Sequence, residues 1–495
     1  MKRTPPALSI IALLTLSSMI GPFSEAATRF VQYTEKYANP DNPAKPIVSS
    51  YLGGSGDEYL IGAAFQRDGT LYLAGNAFGP QFNLGDTPVQ ILGEDQMAPN
   101  FSMPTKKGKA NPPDSWEHRH GAGFIVELSS DYRQVKRAIR FPWKSGVITD
   151  IETDDQGQLY IAGTVGETFS SLSESDEVAV PDGLKGGDEV FIGRFNSNLS
   201  DFDWIYRLPG EAGSTPQLRF IGNDTISMIN ANGFHINTQG EILKAVPIPI
   251  TNTWQRGVSF KSFARVLGNF YRSNTGWEPW HRPFTYIQNP DGAMRFEFHQ
   301  FDSRTVGTNL SRLVSDSKMQ LAAFDRNDNP VIGGWSDGGN SVWTTVPYDF
   351  KKNVRSAIEE TTGRKTGLPF STWGASVGSF FHLNRIDYQT GNPLAYTLFI
   401  SYLSSKNAPS SVTGDNLDFS VDNDLFLSGS SAFGLIQTRN TVVNTLNYDG
   451  DYIGKNFFAI LPEHWDGIRY SSVVPGGGMV GLERHSESKK GGFRF

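Results

Sequence analysis

The sequence predicts an all-β fold, a single β-propeller of four-stranded antiparallel blades, and three observations carry that expectation. A strand–turn–strand unit recurs along the chain, and repeats are the signature of such architectures. The strand-like runs are short and separated by Gly-, Asn- and Asp-rich turns. The composition supports a large core cut by many turns, with 38% hydrophobic and 12% aromatic residues over 495 positions, Gly 52 and Pro 28.

The repeat is clearest where Arg67-Asp68-Gly69-Thr70-Leu71-Tyr72-Leu73-Ala74-Gly75 is echoed by Asp155-Gln156-Gly157-Gln158-Leu159-Tyr160-Ile161-Ala162-Gly163. It returns more loosely over 325–334 and 422–429. Each copy reads as two strands of a hairpin joined by a polar turn. A third strand follows each hairpin at 123–128, 190–195, 380–386 and 457–461, and a closing strand at 135–141, 202–208, 394–402 and 468–474. Two further units, 217–249 and 260–301, bring the count to six. The remaining ends supply a seventh: 480–487 and 492–495 from the C-terminus, 29–37 and 47–52 from the N-terminus. Seven blades are expected, with six as the alternative, and closure by both termini removes the sheet edges an open array would leave.

Ser50-Tyr51-Leu52-Gly53-Gly54-Ser55-Gly56-Asp57-Glu58-Tyr59, followed by Asp68 to Gly75, resembles the bacterial SBBP β-propeller repeat over about 26 residues. The resemblance implies an exported or surface protein of this fold. Later units depart from it, with Phe141-Pro142-Trp143 or Leu208-Pro209-Gly210 in place of the Tyr-Leu-Gly-Gly step. It therefore bears on fold and not on activity.

Met1-Lys2-Arg3, the apolar stretch Ala7 to Phe23 and the small residues around Ala26 read as a secretory signal peptide, so residues 1–26 are expected to be removed and 27–495 to form the propeller. Cleavage takes the net charge from −7 to −8. No other run reaches membrane-spanning length, and the mature chain is expected to be secreted, periplasmic or at the cell surface, as a monomer. A negative chain carries no basic footprint for nucleic acid. Cys is 0, which excludes thiol chemistry and Cys-ligated zinc.

Long insertions fall between the second and third strands of the units, at 76–121, 164–188, 272–283, 335–378 and 430–455. In a blade these loops emerge on one face, so that face is the expected site. Trp116, His118, Arg119 and His120 stand together in the first insertion, and Trp277, Trp280, His281 and Arg282 in the third. Aromatic rings stack on sugars, and arginine binds carboxylate or sulfate bidentately. With Trp335, these residues are the expected binding set for an anionic polysaccharide.

The leading chemistry is β-elimination beside a uronate, which needs a cation on the carboxylate, a base for the C5 proton and an acid for the leaving oxygen. At the fold level the chain resembles the propeller ulvan lyases, whose use of two His, a Tyr and an Arg in chain order is matched by His281, His299, Tyr348 and Arg364. His120 is an equal candidate.

Two other classes stay open. A glycoside hydrolase would need two carboxylates, for which Glu117, Glu278 and Asp337 are candidates. A glycan- or protein-binding propeller would need no chemistry. His118 and His120 alternate as two metal ligands would, but no third ligand stands near, and no metal site is assigned. The turns at 325–329 and 422–424 lack EF-hand spacing and read as tight turns. The residues require no cofactor, and a structural divalent cation is left open.

Overall fold

In the computed structural model the described residues are 58–66, 68–77, 88–92, 97–98, 122–142, 144–171, 180–211, 215–248, 255–272, 281–298, 316–337, 345–346, 349–365, 379–399, 401–403, 408–410, 412–420, 422–431, 455–473, 481–485 and 490–494. The expected signal peptide and the expected N-terminal strands lie outside them.

The chain is a β-propeller. Strands β1 (Glu58–Phe65) and β2 (Leu71–Ala77) precede the short β3 (Val89–Ile91) and β4 (Met97–Ala98), and β5 (Ala122–Leu128) and β6 (Val135–Arg140) complete the first blade. The second is β7 (Gly146–Thr153), β8 (Leu159–Val165), β9 (Gly187–Phe195) and β10 (Phe202–Gly210). The third is β11 (Gln217–Phe220), β12 (Thr225–Ile229), β13 (Asn232–Asn237) and β14 (Ile242–Pro247). The fourth is β15 (Gln255–Val258), β16 (Arg265–Arg272), β17 (His281–Gln288) and β18 (Met294–Phe298).

The fifth blade begins with β19 (Ser317–Phe324) and β20 (Pro330–Asp337). A hairpin of β21 (Thr345–Val346) and β22 (Asp349–Asn353) and a helix α1 (Val354–Thr362) intervene before β23 (Ser379–Ile386) and β24 (Pro393–Phe399). A small hairpin, β25 (Ser401–Leu403) and β26 (Ala408–Ser410), leads to the sixth blade: β27 (Val412–Phe419), β28 (Leu425–Ser431), β29 (Lys455–Leu461) and β30 (Tyr470–Val473). Within each blade successive strands pair antiparallel. A last hairpin, β31 (Gly481–His485) and β32 (Lys490–Arg494), packs against β27 and β28 on one side and β1 on the other. The C-terminus thus sits where the ring closes, between the sixth and first blades.

Burial peaks in the second strand of a blade, and the sequence follows it. The second strand of a blade is covered on both faces by its neighbours, so β8 reads Leu-Tyr-Ile-Ala-Gly-Thr-Val and every residue is buried. The outer strand β14 reads Ile-Leu-Lys-Ala-Val-Pro and none is fully buried. The glycine that ends the repeat has a packing cause. A Cβ on Gly163 would run into the Val147 carbonyl oxygen of β7 and lie 2.6 Å from the Phe191 ring of β9, and one on Gly429 would run into the Thr413 carbonyl oxygen of β27 and lie 2.9 Å from Phe457 of β29. The turn glycine has a backbone cause: Gly69 and Gly157 sit at φ 90° and 80°, and Asp328 and Asn423 take the same left-handed position at 69° and 64°. In five inner strands one residue is extra in the ladder, at Ile61, Thr149, Arg256, Gln320 and Asp415, a bulge that adds local bend.

Two insertions fold against the rim. Strand β3 pairs parallel with the outer strand β6. The insertion at 335–378, expected only as a loop, contains α1. Asn353 caps it by accepting from the N–H groups of Arg355 and Ser356, and Gly363 ends it in the left-handed conformation at φ 68°. Its one apolar stripe, Val354, Ala357 and Ile358, is buried, with Val354 and Ile358 packed on Tyr396 of β24. No helix among the described residues is long and apolar enough to cross a membrane.

Candidate functional site

Strand direction sorts the molecule into two ends. Connections between second and third strands, and between blades, leave at a loop-bearing end; turns between first and second and between third and fourth strands leave at a turn end. His281 and Arg282 open β17, in register with Arg272 and Tyr271, and so stand at the loop-bearing end of the fourth blade. Trp335 is near the end of β20, in register with Lys318 at the start of β19, and so stands at the same end of the fifth blade. Its indole is half-buried, and the Lys318 ammonium lies 5.4 Å from the ring centroid. The fold therefore brings His281, Arg282, Lys318 and Trp335 to one end of two adjacent blades. Lys318 was not among the expected residues.

Trp116, His118, Arg119, His120, Trp277, Trp280, His299 and Tyr348 lie outside the described residues, as do Glu117 and Glu278. Asp337 closes β20 at the loop-bearing end.

Arg364 is placed elsewhere. It follows α1, which runs along β24, and its guanidinium is bonded to His464 in the turn between β29 and β30. That turn is at the turn end, so Arg364 and His281 are at opposite ends of their blades. The physical cause is α1 itself, whose apolar stripe seeks the outer strand and carries the following residue past the sheet. Partial burial, and then the Arg364 charge, hold the His464 imidazole below its ordinary range.

Beneath α1 lies a polar pair that the sequence reading missed. His382 of β23 is fully buried, with Nδ1 2.8 Å from the Tyr396 hydroxyl, and Arg355 of α1 places its guanidinium 5.3 Å from the Tyr396 ring centroid. Burial, with the Arg355 charge, pushes His382 down to about 3, and burial pushes the Tyr396 phenol up. The pair has acid–base residue types but is buried, and it packs as core. The only signal was one polar residue inside the apolar run Phe380-Phe381-His382-Leu383.

Asp325, the first of the turn aspartates that resemble cation ligands in sequence, is occupied by the backbone. Asp325 Oδ1 accepts from the N–H groups of Asn327 and Asn329 at 2.9 and 2.8 Å, which is the tight-turn role expected for 325–329.

No family model matches the chain, and no curated protein matches it. Among solved structures, it is similar to the Dos1 propeller at 10% identity, over 88% of this chain and 76% of that one, with a TM-score of 0.30. It is also similar to BamB from Moraxella catarrhalis at 9% identity, over 72% of this chain and 86% of that one, with a TM-score of 0.28. These likenesses carry no argument about activity, and neither speaks to the SBBP repeat or to the ulvan lyases.

Proposed function

We propose that this is an exported propeller that binds an anionic, uronate-containing polysaccharide at its loop-bearing end. The observation that carries the reading is the shared placement of His281, Arg282, Lys318 and Trp335 at that end of two adjacent blades. An ammonium beside a half-buried indole, on the same end as His281 and Arg282, suits a sugar ring that carries a carboxylate or sulfate. The signal-like segment at 1–26 supports a secreted, periplasmic or surface location.

β-Elimination is the chemistry this site would run, with Arg282 or Arg119 in place of Arg364 as the group that neutralises the uronate, and His281, His120, His299 and Tyr348 as candidates for base and acid. A second reading, binding without chemistry, is favoured by one observation: Arg364, the fourth member of the ordered quartet, is engaged with His464 at the other end. A test is to incubate the mature protein with ulvan, pectate and glycosaminoglycans, following both the ultraviolet absorbance of the unsaturated uronate and retention on the immobilised polymer. Absorbance that rises on one polymer and is abolished by His281→Ala identifies a lyase. Retention alone, weakened about tenfold by Trp335→Ala, identifies a binder. Neither signal on any polymer overturns the proposal.

A further inference from the structure

One side chain crosses the centre of the ring. Arg219, on the inner strand β11 of the third blade, donates from Nη2 to Asp418 Oδ1 on the inner strand β27 of the sixth, at 2.6 Å. Its Nη1 donates to the carbonyl of Phe324, the last residue of β19 in the fifth blade, at 3.4 Å. Its guanidinium lies 4.5 Å from the ring centroid of Phe260, in the first turn of the fourth blade. The third and sixth inner strands are three steps apart around the ring, as far apart as two inner strands come, so the contact spans the axis.

The level of this contact is also defined. Arg219 and Asp418 are each the next-to-last residue of their inner strand, and Phe324 and Phe260 stand at or just past the ends of theirs. The bridge therefore lies at the turn end of the axis. The two side chains keep 11% and 23% of their surface exposed, so the pair is largely shielded from water and less screened than a surface ion pair. Guanidinium is suited to this position, because its rigid fork serves a carboxylate and a carbonyl while its flat face covers an aromatic ring.

We propose that Arg219 and Asp418 form an axial lock, which fixes the separation of opposite blades and closes the central channel at the turn end. A ligand enters the axis from the loop-bearing end alone, and no polymer threads through the ring. The inference stands whether or not the ligand is a polysaccharide.

The absence of cysteine makes the test clean, since introduced thiols are the only ones present. Leu243→Cys on β14 of the third blade and Asp466→Cys beside β30 of the sixth are both at exposed positions and can carry a pair of spin labels on the full chain. The lock predicts one narrow distance distribution that Arg219→Ala broadens and Asp418→Ala broadens equally. The double substitution should broaden it no further and shift the unfolding equilibrium no more than either single change, each about 10- to 100-fold. Arg219→Lys keeps the charge, loses the fork and should give an intermediate width in a folded protein. A distribution unchanged by Arg219→Lys and Arg219→Ala, or strictly additive effects of the two alanines, would overturn the lock.

Discussion

The second and fifth blades solve the same problem with one residue exchanged. In both, an aspartate opens the first turn and uses Oδ1 to bind two turn N–H groups: Asp154 those of Gln156 and Gln158, Asp325 those of Asn327 and Asn329. In both, an arginine on the third strand faces the second position of the second strand, Arg194 opposite Tyr160 and Arg385 opposite Val331. Both arginines reach the outer turn of the next blade, at the Thr238 and Glu463 carbonyls.

The difference is the residue between. Tyr160 gives its hydroxyl to Asp154 Oδ2 at 3.0 Å, and Arg194 pairs with Asp203 where both stay partly exposed. Val331 has no hydroxyl, so Arg385 closes on Asp325 itself, Nε to Oδ2 3.3 Å, with side chains 3% and 0% exposed. The repeat keeps the reach between blades and varies how much charge it buries.

Removing each aspartate sharpens that contrast most. Asp325→Ala strands the Arg385 guanidinium in the core and should cost about 3–5 kcal/mol. Asp154→Ala loses turn bonds and the acceptor of one phenol, which costs about 1–3 kcal/mol. Urea midpoints at constant slope measure both, and equal losses would break the comparison.

The second effect is acid sensitivity, because the fifth blade carries His382 where the second carries Phe191. An unfolded imidazole takes a proton near pH 6.5, while the folded His382 holds it off until about 3. The unfolded state therefore binds more protons in that window. Stability is full above about pH 6.5 and is lost as pH falls towards 3. His382→Phe, the residue the second blade uses, should flatten this limb in pH-dependent unfolding. A smaller slope of the same sign remains from His235 and His464, both also held below their ordinary range.

The smallest effect is Tyr160→Phe. It deletes the hydroxyl between Asp154 and Arg194 and should cost about 1 kcal/mol, with the Arg194–Asp203 pair untouched. A loss as large as that of Asp325→Ala would mean that the tyrosine link is as demanding as the buried ion pair.

What the sequence made legible is what repeats locally. The hairpins and the left-handed turn position are set by neighbours a few residues away, as at Gly157, whereas the glycine at the end of each copy is marked by the repeat although the ring over Gly163 belongs to the next strand. Helix α1 was not legible because its apolar stripe is three residues long and its caps are single residues. The axial lock was not legible because Arg219 and Asp418 are 199 positions apart, and nothing local marks them as partners. For the candidate site, residue type and the position of the insertions singled out Trp335, His281 and Arg282 and their shared end, while only the packing of α1 shows that Arg364 does not join them.

The treatment of the rim has a consequence for self-association. The outer strands of the first and fifth blades are covered by β3 and α1, whereas among the described residues β14 and β18 end their sheets and present Leu243 and Met294 at 58% and 52% exposure. An uncovered outer strand offers unpaired N–H and C=O groups to another chain, and an apolar side chain beside them removes the usual deterrent. The third and fourth blades are thus the flank along which native molecules would stick to one another at high concentration, and a lysine at position 243 is the simplest way to keep them apart.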